Sequence, residues 1–362
     1  MSVLDATATA APPPRSRVLA ALATSRRHAV ATVGTLWLAA LIVAIVALGI
    51  GPVPVDPAVI VRIIAAHVTG SAMPADIPPM ADQIVWTTRT PRIAMAVVAG
   101  AALAVAGVVL QSLTRNGLAD PYLLGINGGA SAGVALVVLV AGAATGLALS
   151  GAALAGAVLA TVLVLVIAGS AATRGPSRLV LSGLAVGYAL TAVTSFLLFW
   201  TDSPEAARSV LFWLLGSLTS VQPTVLTAAA IATLVGLLLL SLLSGRLDAL
   251  ASGDDSARAV GLDPERARFA FMAGTSAMVG VVVSGVGGVG FIGLIVPHAA
   301  RALTGARHRF ALPAAAAMGA ALLVAADTVA RTAFAPQEIP VGVITGALGA
   351  PVLLLLLRRS HS

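Results

Sequence analysis

The sequence has no cysteine and no lysine, and few of its 362 residues are aromatic (4%) or charged (10%). Without cysteine there are no disulfides, thiolate metal sites or thiol nucleophiles. Without lysine there is no G-x-x-x-x-G-K-[ST] loop, in which the lysine reaches nucleotide phosphates, so no ATP hydrolysis by that route is expected of the chain. Any such engine belongs to another subunit. Soluble domains are roughly a quarter charged, and a share of 10% excludes a soluble enzyme with a membrane tail. What fills the chain instead is apolar: 59% of the residues are hydrophobic, and the mean hydropathy is +1.02. Crossing a hydrocarbon core of about 30 Å takes roughly 20 helical residues, so this composition has room for about ten spans.

Apolar runs fall near 30–51, 93–113, 121–142, 146–169, 179–200, 222–244, 267–286, 290–304, 311–332 and 341–357. The stretch from Phe269 to Ala300 is too long for one helix, and Gly285, Gly287, Gly288 and Gly290 in its middle suit a tight reversal. Residues 1–29, with the Pro12–Pro14 run and Arg15, Arg17, Arg26 and Arg27, read as a cytoplasmic arm before a retained first span, since no small-residue cleavage site follows. Arginine placement tests the division, because cytoplasmic loops carry the positive excess. With ten spans and the N-terminus inside, sixteen arginines lie inside, and five (Arg62, Arg89, Arg92, Arg208 and Arg331) lie outside. Merging the glycine-rich pair into one span scores worse. The expected fold is an all-α polytopic membrane protein of about ten transmembrane helices with both termini cytoplasmic: the arm, a transmembrane domain over 30–358 and a tail over 359–362. In such a chain the net charge of +7 marks topology and does not call for nucleic acid.

Two outer segments read as helices that span nothing. One is 56–68, with an Asp56 cap, Pro57 at the first helical position and Val59, Ile63 and Ala66 on one face. The other opens at Ser203-Pro204-Glu205 and leads to Val210, Leu211, Trp213 and Leu214. Such helices either pack at the interface or line an entrance. Within the spans, Ala96, Gly100 and Ala104 recur every fourth residue, a pattern that lets helices approach closely. The most informative soluble segment is the loop around 246–266. Asp254 and Asp255 favour a helix N-terminus, Gly261 suits its C-terminal cap, and Asp263-Pro264-Glu265 opens a second helix. In a chain without its own nucleotide site, this ordered cytoplasmic element is a docking surface for a soluble partner.

From about residue 85 to 357 the motifs stand in order: Arg89-Thr90-Pro91-Arg92; Gly100 leading to Gln111; Arg115-Asn116-Gly117-Leu118-Ala119-Asp120-Pro121 with Leu124-Gly125; Gly253 to Gly261; Gly290 through Pro297-His298 with Arg301; Asp327 with Arg331; and Glu338-Ile339-Pro340-Val341-Gly342 through Pro351. The sequence thereby resembles the FecCD-type permeases of type II ABC importers, which carry iron-siderophores, haem and cobalamin. The resemblance implies a homodimer or paired permease with a pathway along its axis, two ATPase subunits below and an extracytoplasmic solute-binding protein above. It makes Gly253, Asp254, Asp255, Ala257, Arg258 and Gly261 the ATPase-coupling residues, and it implies docking of the binding protein at Arg89, Arg92 and Arg331. Gln111, Asn116, Asp120, Pro121, Gly125, Pro297, His298, Asp327, Glu338 and Pro340 belong to its translocation or structural motifs. One departure is Gly117, where the family usually has proline.

The residues support alternative roles at several of these points. An outward arginine cluster is a socket for carboxylates, or Arg331 pairs with Asp327 one turn earlier while Arg89 and Arg92 snorkel. Asp327 lies inside an apolar run, where it reads as half of a structural pair before a proton relay. His298 reads as a hydrogen-bonded helix-end residue and not a metal ligand; Gln111, Asn116 and Asn127 read as helix-to-helix hydrogen bonders. The expected function is inward movement of a metal chelate, a ferric siderophore, by alternating access in the bacterial plasma membrane. No cofactor is expected in this chain, with ATP and magnesium on the partner ATPase. Cobalamin or haem is the alternative cargo. From another class, an ion-coupled secondary transporter would need intramembrane charge free to bind the coupling ion.

Overall fold

The computed structural model describes residues 15–142, 146–168 and 176–359. The Pro12–Pro14 run, Arg174 and the last three residues of the expected tail lie outside them. Every regular element among the described residues is helical. In chain order these are α1 (Arg15–Gly49), α2 (Pro57–Thr69), α3 (Pro79–Asp82), α4 (Thr90–Thr114), α5 (Ile126–Leu139), α6 (Gly146–Ala168), α7 (Pro176–Trp200), α8 (Pro204–Leu214), α9 (Pro223–Leu242), α10 (Ser244–Ser252), α11 (Asp254–Ala259), α12 (Pro264–Val286), α13 (Ile292–Thr304), α14 (His308–Thr332) and α15 (Val341–Arg359). A π-helical stretch, Gln83–Arg89, joins α3 to α4, and a 3-10 turn, Pro121–Leu124, precedes α5.

Ten of these helices fall on the ten apolar runs. Seven are long and apolar enough to cross a membrane, and α5, α13 and the apolar part of α15 are shorter. The 14 residues of α5 and the 13 of α13 reach only about 20 Å at 1.5 Å per residue. Their deficit is made up by irregular backbone buried within the protein, which is where a bilayer tolerates it. The glycine-rich segment does divide the long run into two helices. Helix α12 stops at Gly287, at φ 69°, and α13 starts after Phe291, which also has a φ of 69°. The residues expected as an arm are helical from Arg15 onward and run without a break into the first span as part of α1. Between Arg15 and Val33 there is neither proline nor glycine to stop it.

Local chemistry sets most of the helix starts. Asp56 accepts the Ala58 N–H at 2.7 Å to open α2, and Ser203 accepts the Ala206 N–H at 3.3 Å to open α8. Helix α2 buries Ile60, Ile63 and Ala66, so Ile60 takes the place expected for Val59. At the centre of the protein, α4 packs along α14 with no side chain between them at Gly100 and Gly319. A Cβ added to Gly100 would lie 2.2 Å from the Gly319 carbonyl oxygen. The Ala96-Gly100-Ala104 face is thus a packing seam within one chain.

Candidate functional site

At the cytoplasmic side by the arginine count, α10 and α11 form a bent pair around Gly253, whose φ of 126° and ψ of 161° suit glycine. Leu247, Leu250 and Ala257 are fully buried beneath the pair. Helix α11 ends in a Schellman arrangement: the Gly261 N–H donates to Arg258 O at 2.9 Å and the Leu262 N–H to Ala257 O at 3.0 Å. Asp263 then accepts the Glu265 and Arg266 N–H groups at 3.0 and 3.3 Å to open α12. Asp254 anchors the element by accepting from Arg268 of α12, one of the two bonds at 3.1 Å, and from Arg115 at the end of α4. The Arg268 hydrogen bonds, with the Arg115 and Arg258 charges, hold the Asp254 carboxyl below the usual carboxylate range. Asp255 and Arg258 pair at 3.1 Å on the exposed surface. Of the six coupling candidates, Asp255, Arg258 and Gly261 are exposed and Ala257 is turned inward.

Above this element, Gln111 donates to the Gly293 and Leu294 carbonyls at 3.4 and 3.1 Å and accepts from Arg301, joining α4 to both ends of α13. Asn116 makes no helix-to-helix bond of the kind expected; its side chain accepts the Leu118 N–H at 2.9 Å and shapes the exposed turn. Asp120 accepts the Tyr122 N–H at 2.9 Å, capping the 3-10 turn that Pro121 begins and Gly125 ends at φ 72°. Burial raises the Asp120 carboxyl to about 6, against the pull of that N–H. Pro121 packs on Gly293. His298, one residue beyond Pro297 inside α13, donates from Nδ1 to Leu294 O at 3.0 Å. Its Nε2 would lie 3.0 Å from a Cβ on Gly117; nothing in the structure explains glycine at that departure from the family pattern.

Tyr122 was not singled out by the sequence. Its hydroxyl accepts the Val289 N–H at 2.9 Å and donates to Val289 O at 3.0 Å, pinning the glycine-rich break between α12 and α13. The contact spans 167 positions, beyond the reach of any local pattern. Asn127, expected to bond between helices, has its Oδ1 buried beside Gly288 without a hydrogen-bond partner.

In this chain the three outer arginines do not form an open cluster. Arg89, Arg92 and Arg331 are 4%, 6% and 3% exposed, turned inward and already bonded. Arg89 donates to Leu48 O at 2.6 Å and to Val53 O at 2.5 Å, and Arg331 donates to Ala47 O at 2.5 Å. The carbonyl end of α1 attracts cations because its last C=O groups lack intrahelical partners. Asp327 pairs with Arg92 of α4 at 2.9 Å and not directly with Arg331, so the expected i, i+4 bond is corrected. Arg92 reaches Glu338 as well, at 2.8 Å, and thereby holds the Glu338-Ile339-Pro340 loop over the outer ends of α4 and α14. A buried guanidinium demands such partners, which is why these arginines do not snorkel.

On the same side, α8 borders a mainly apolar cavity of about 610 Å³ lined by Leu149, Phe212 and Trp213, with Ser150, Glu205, Arg208, Ser209, Thr219 and Ser284 among its polar residues.

Residues 38–359 match the model of the FecCD transport family. The chain belongs to that family. This FecCD chain is 40% identical over 283 residues to the cobalamin import system permease protein BtuC of Halobacterium salinarum, covering 78% of this chain and 75% of the relative. It is 38% identical over 282 residues to the vitamin B12 import system permease protein BtuC of Vibrio cholerae serotype O1, covering 77% and 84%. It is also 38% identical over 275 residues to the Fe(3+)-citrate import system permease protein YfmE of Bacillus subtilis, covering 76% and 82%. Among solved structures, a metal-chelate type ABC transporter in an inward-facing conformation aligns with a TM-score of 0.77 at 27% identity, covering 91% of this chain and 99% of that one. The FecCD chain is accordingly a multi-pass plasma-membrane permease subunit of an ABC importer; it is not itself an enzyme, and ATP hydrolysis belongs to a separate subunit.

Proposed function

We propose that this permease moves a ferric siderophore inward by alternating access, working as one of two paired permeases with two ATPase subunits below and an extracytoplasmic solute-binding protein above. ATP and magnesium are held by the ATPase subunits and no cofactor by this chain. The observation that carries the cargo is the cavity of about 610 Å³ beside α8. Its hydroxyls offer weak hydrogen bonds to the oxygen-rich surface of a chelate, contacts that let a cargo pass and leave. The exposed Asp255–Arg258 face of α11 is the contact for the ATPase, and the binding protein meets the outer face around α8, where Glu205 and Arg208 are exposed. Likeness to the Fe(3+)-citrate permease supports a ferric cargo. Likeness to the two BtuC permeases supports cobalamin as the second reading.

Against an ion-coupled carrier stands the pairing of Asp327 with Arg92, which leaves that carboxylate committed. The test is uptake of radiolabelled iron-siderophore and radiolabelled cobalamin into proteoliposomes holding the full complex, with and without ATP. ATP-dependent iron uptake that unlabelled cobalamin does not compete is the expected result. Cobalamin uptake alone selects the second reading, and uptake indifferent to ATP rejects both.

A further inference from the structure

His308 opens α14 and is 3% exposed, yet both of its ring nitrogens are engaged with other elements. Nδ1 lies 2.6 Å from Asp248 Oδ1 on α10, and the His308 backbone N–H donates to the same oxygen at 3.0 Å. A carboxylate only accepts, so Nδ1 carries a proton and donates it. Nε2 lies 2.6 Å from Ser112 Oγ, near the end of α4. Arg307, the residue before α14, supplies no side-chain cap, so Asp248 satisfies that helix terminus from another element. None of the three residues belongs to the motifs that identify the family.

The arrangement joins one half of the cytoplasmic loop to the central helix pair. Leu247 and Leu250 bury α10 by apolar contact, which is non-directional. The His308 bonds add direction, tying α10 to α4 and α14 together. Across Gly253, Asp254 ties α11 to α4 and α12 through Arg115 and Arg268. Force applied at Asp255 and Arg258 therefore has two polar routes into the spans, and the route to α14 runs through His308.

We propose that His308 is a positioning residue for energy coupling: it clamps α10 to the ends of α4 and α14, so that displacement of the loop by the ATPase subunit moves that pair instead of slipping past it. The proposal rests on the importer reading above. Its test uses the full complex in proteoliposomes, measuring ATP hydrolysed per chelate imported, and the purified permease, measuring amide hydrogen exchange of residues 244–252. His308→Asn places an amide donor near Nδ1 but loses the bond to Ser112, so its ratio should lie between those of the wild type and His308→Phe. His308→Phe and Asp248→Ala should waste ATP, raising the ratio about tenfold, the scale set by loss of a charge-assisted hydrogen bond. Both should also speed exchange in 244–252.

A purely structural role would lower hydrolysis and import in proportion, leaving the ratio unchanged, and that result overturns the clamp. Unchanged exchange in His308→Phe, in a preparation whose wild-type complex imports chelate, overturns it as well. A wild-type complex that imports nothing with ATP present overturns the importer reading and the coupling role with it.

Discussion

Arg92 holds two carboxylates from the far end of the chain, and removing it would leave Asp327 as an uncompensated charge among apolar helices. Breaking such a buried pair costs about 3–5 kcal/mol, whereas an exposed pair is worth about 0–1 kcal/mol. Arg92→Ala should therefore sharply reduce folded permease in the membrane, and Arg258→Ala, at the exposed pair with Asp255, should barely change it. Thermal unfolding in detergent and the amount of protein in the membrane fraction check both. Asp120 adds a pH signature, since burial raises its carboxyl from 3.8 to about 6. The folded protein holds that proton more tightly than the unfolded chain, so this contribution to stability is complete below about pH 4 and is lost as pH rises towards 6. Asp120→Asn keeps an acceptor for the Tyr122 N–H and removes the ionisation. Its melting temperature should gain on the wild type as pH goes from 4 to 7. That Asp327 needs a partner was legible from an acidic residue in an apolar run. Which arginine answers was not, because i, i+4 spacing describes one helix and the answering arginine lies 235 positions away.

At the scale of elements, the apolar runs and their glycine break mapped onto ten helices because burial of side chains and tolerance of positive φ are local properties. The partners of each helix were less legible. A stripe of small residues announces close approach without saying to what, and only the structure sets Gly100 on Gly319 and Gly107 on Gly293. A Cβ on Gly107 would fall 1.9 Å from the Gly293 carbonyl oxygen, while one on Gly151 would meet nothing within 4 Å. Gly107→Ala should thus push α13 from α4 and destabilise by about 1–3 kcal/mol, as overpacking does. Gly151→Ala should be neutral or slightly stabilising, since alanine is the better helix former. Melting temperatures of the two variants decide the point. The loop at 246–266 was read correctly in its caps, which are set by neighbouring residues, but the inward turn of Ala257 depends on the packing of α10 beneath it.

For the whole molecule, sidedness rests on the arginine distribution, and the absence of cysteine makes it directly testable. Single cysteines placed at Arg246 and Glu205 would be the only thiols in the chain. In intact right-side-out vesicles an impermeant maleimide should label Glu205→Cys and spare Arg246→Cys until the membrane is opened. Labelling of both, or the reverse order, would reject ten spans with a cytoplasmic N-terminus.

Rigidity is unevenly shared among the helices. Where the backbones of α4 and α14 touch at Gly100 and Gly319, no layer of side chains remains to compress or slide. Much of α4 and α14 is buried inside the protein, and little of α7 or α9 is. The central pair is thus a stiff mast, and α7 and α9, exposed along much of their length, are expected to tilt around it. Two spin labels set along α4 and α14 would keep one separation through every stage of a transport cycle, while labels on α7 and α9 would change theirs. With that result, what travels between the two faces of the membrane would be a lean of the mast and not a change in its length.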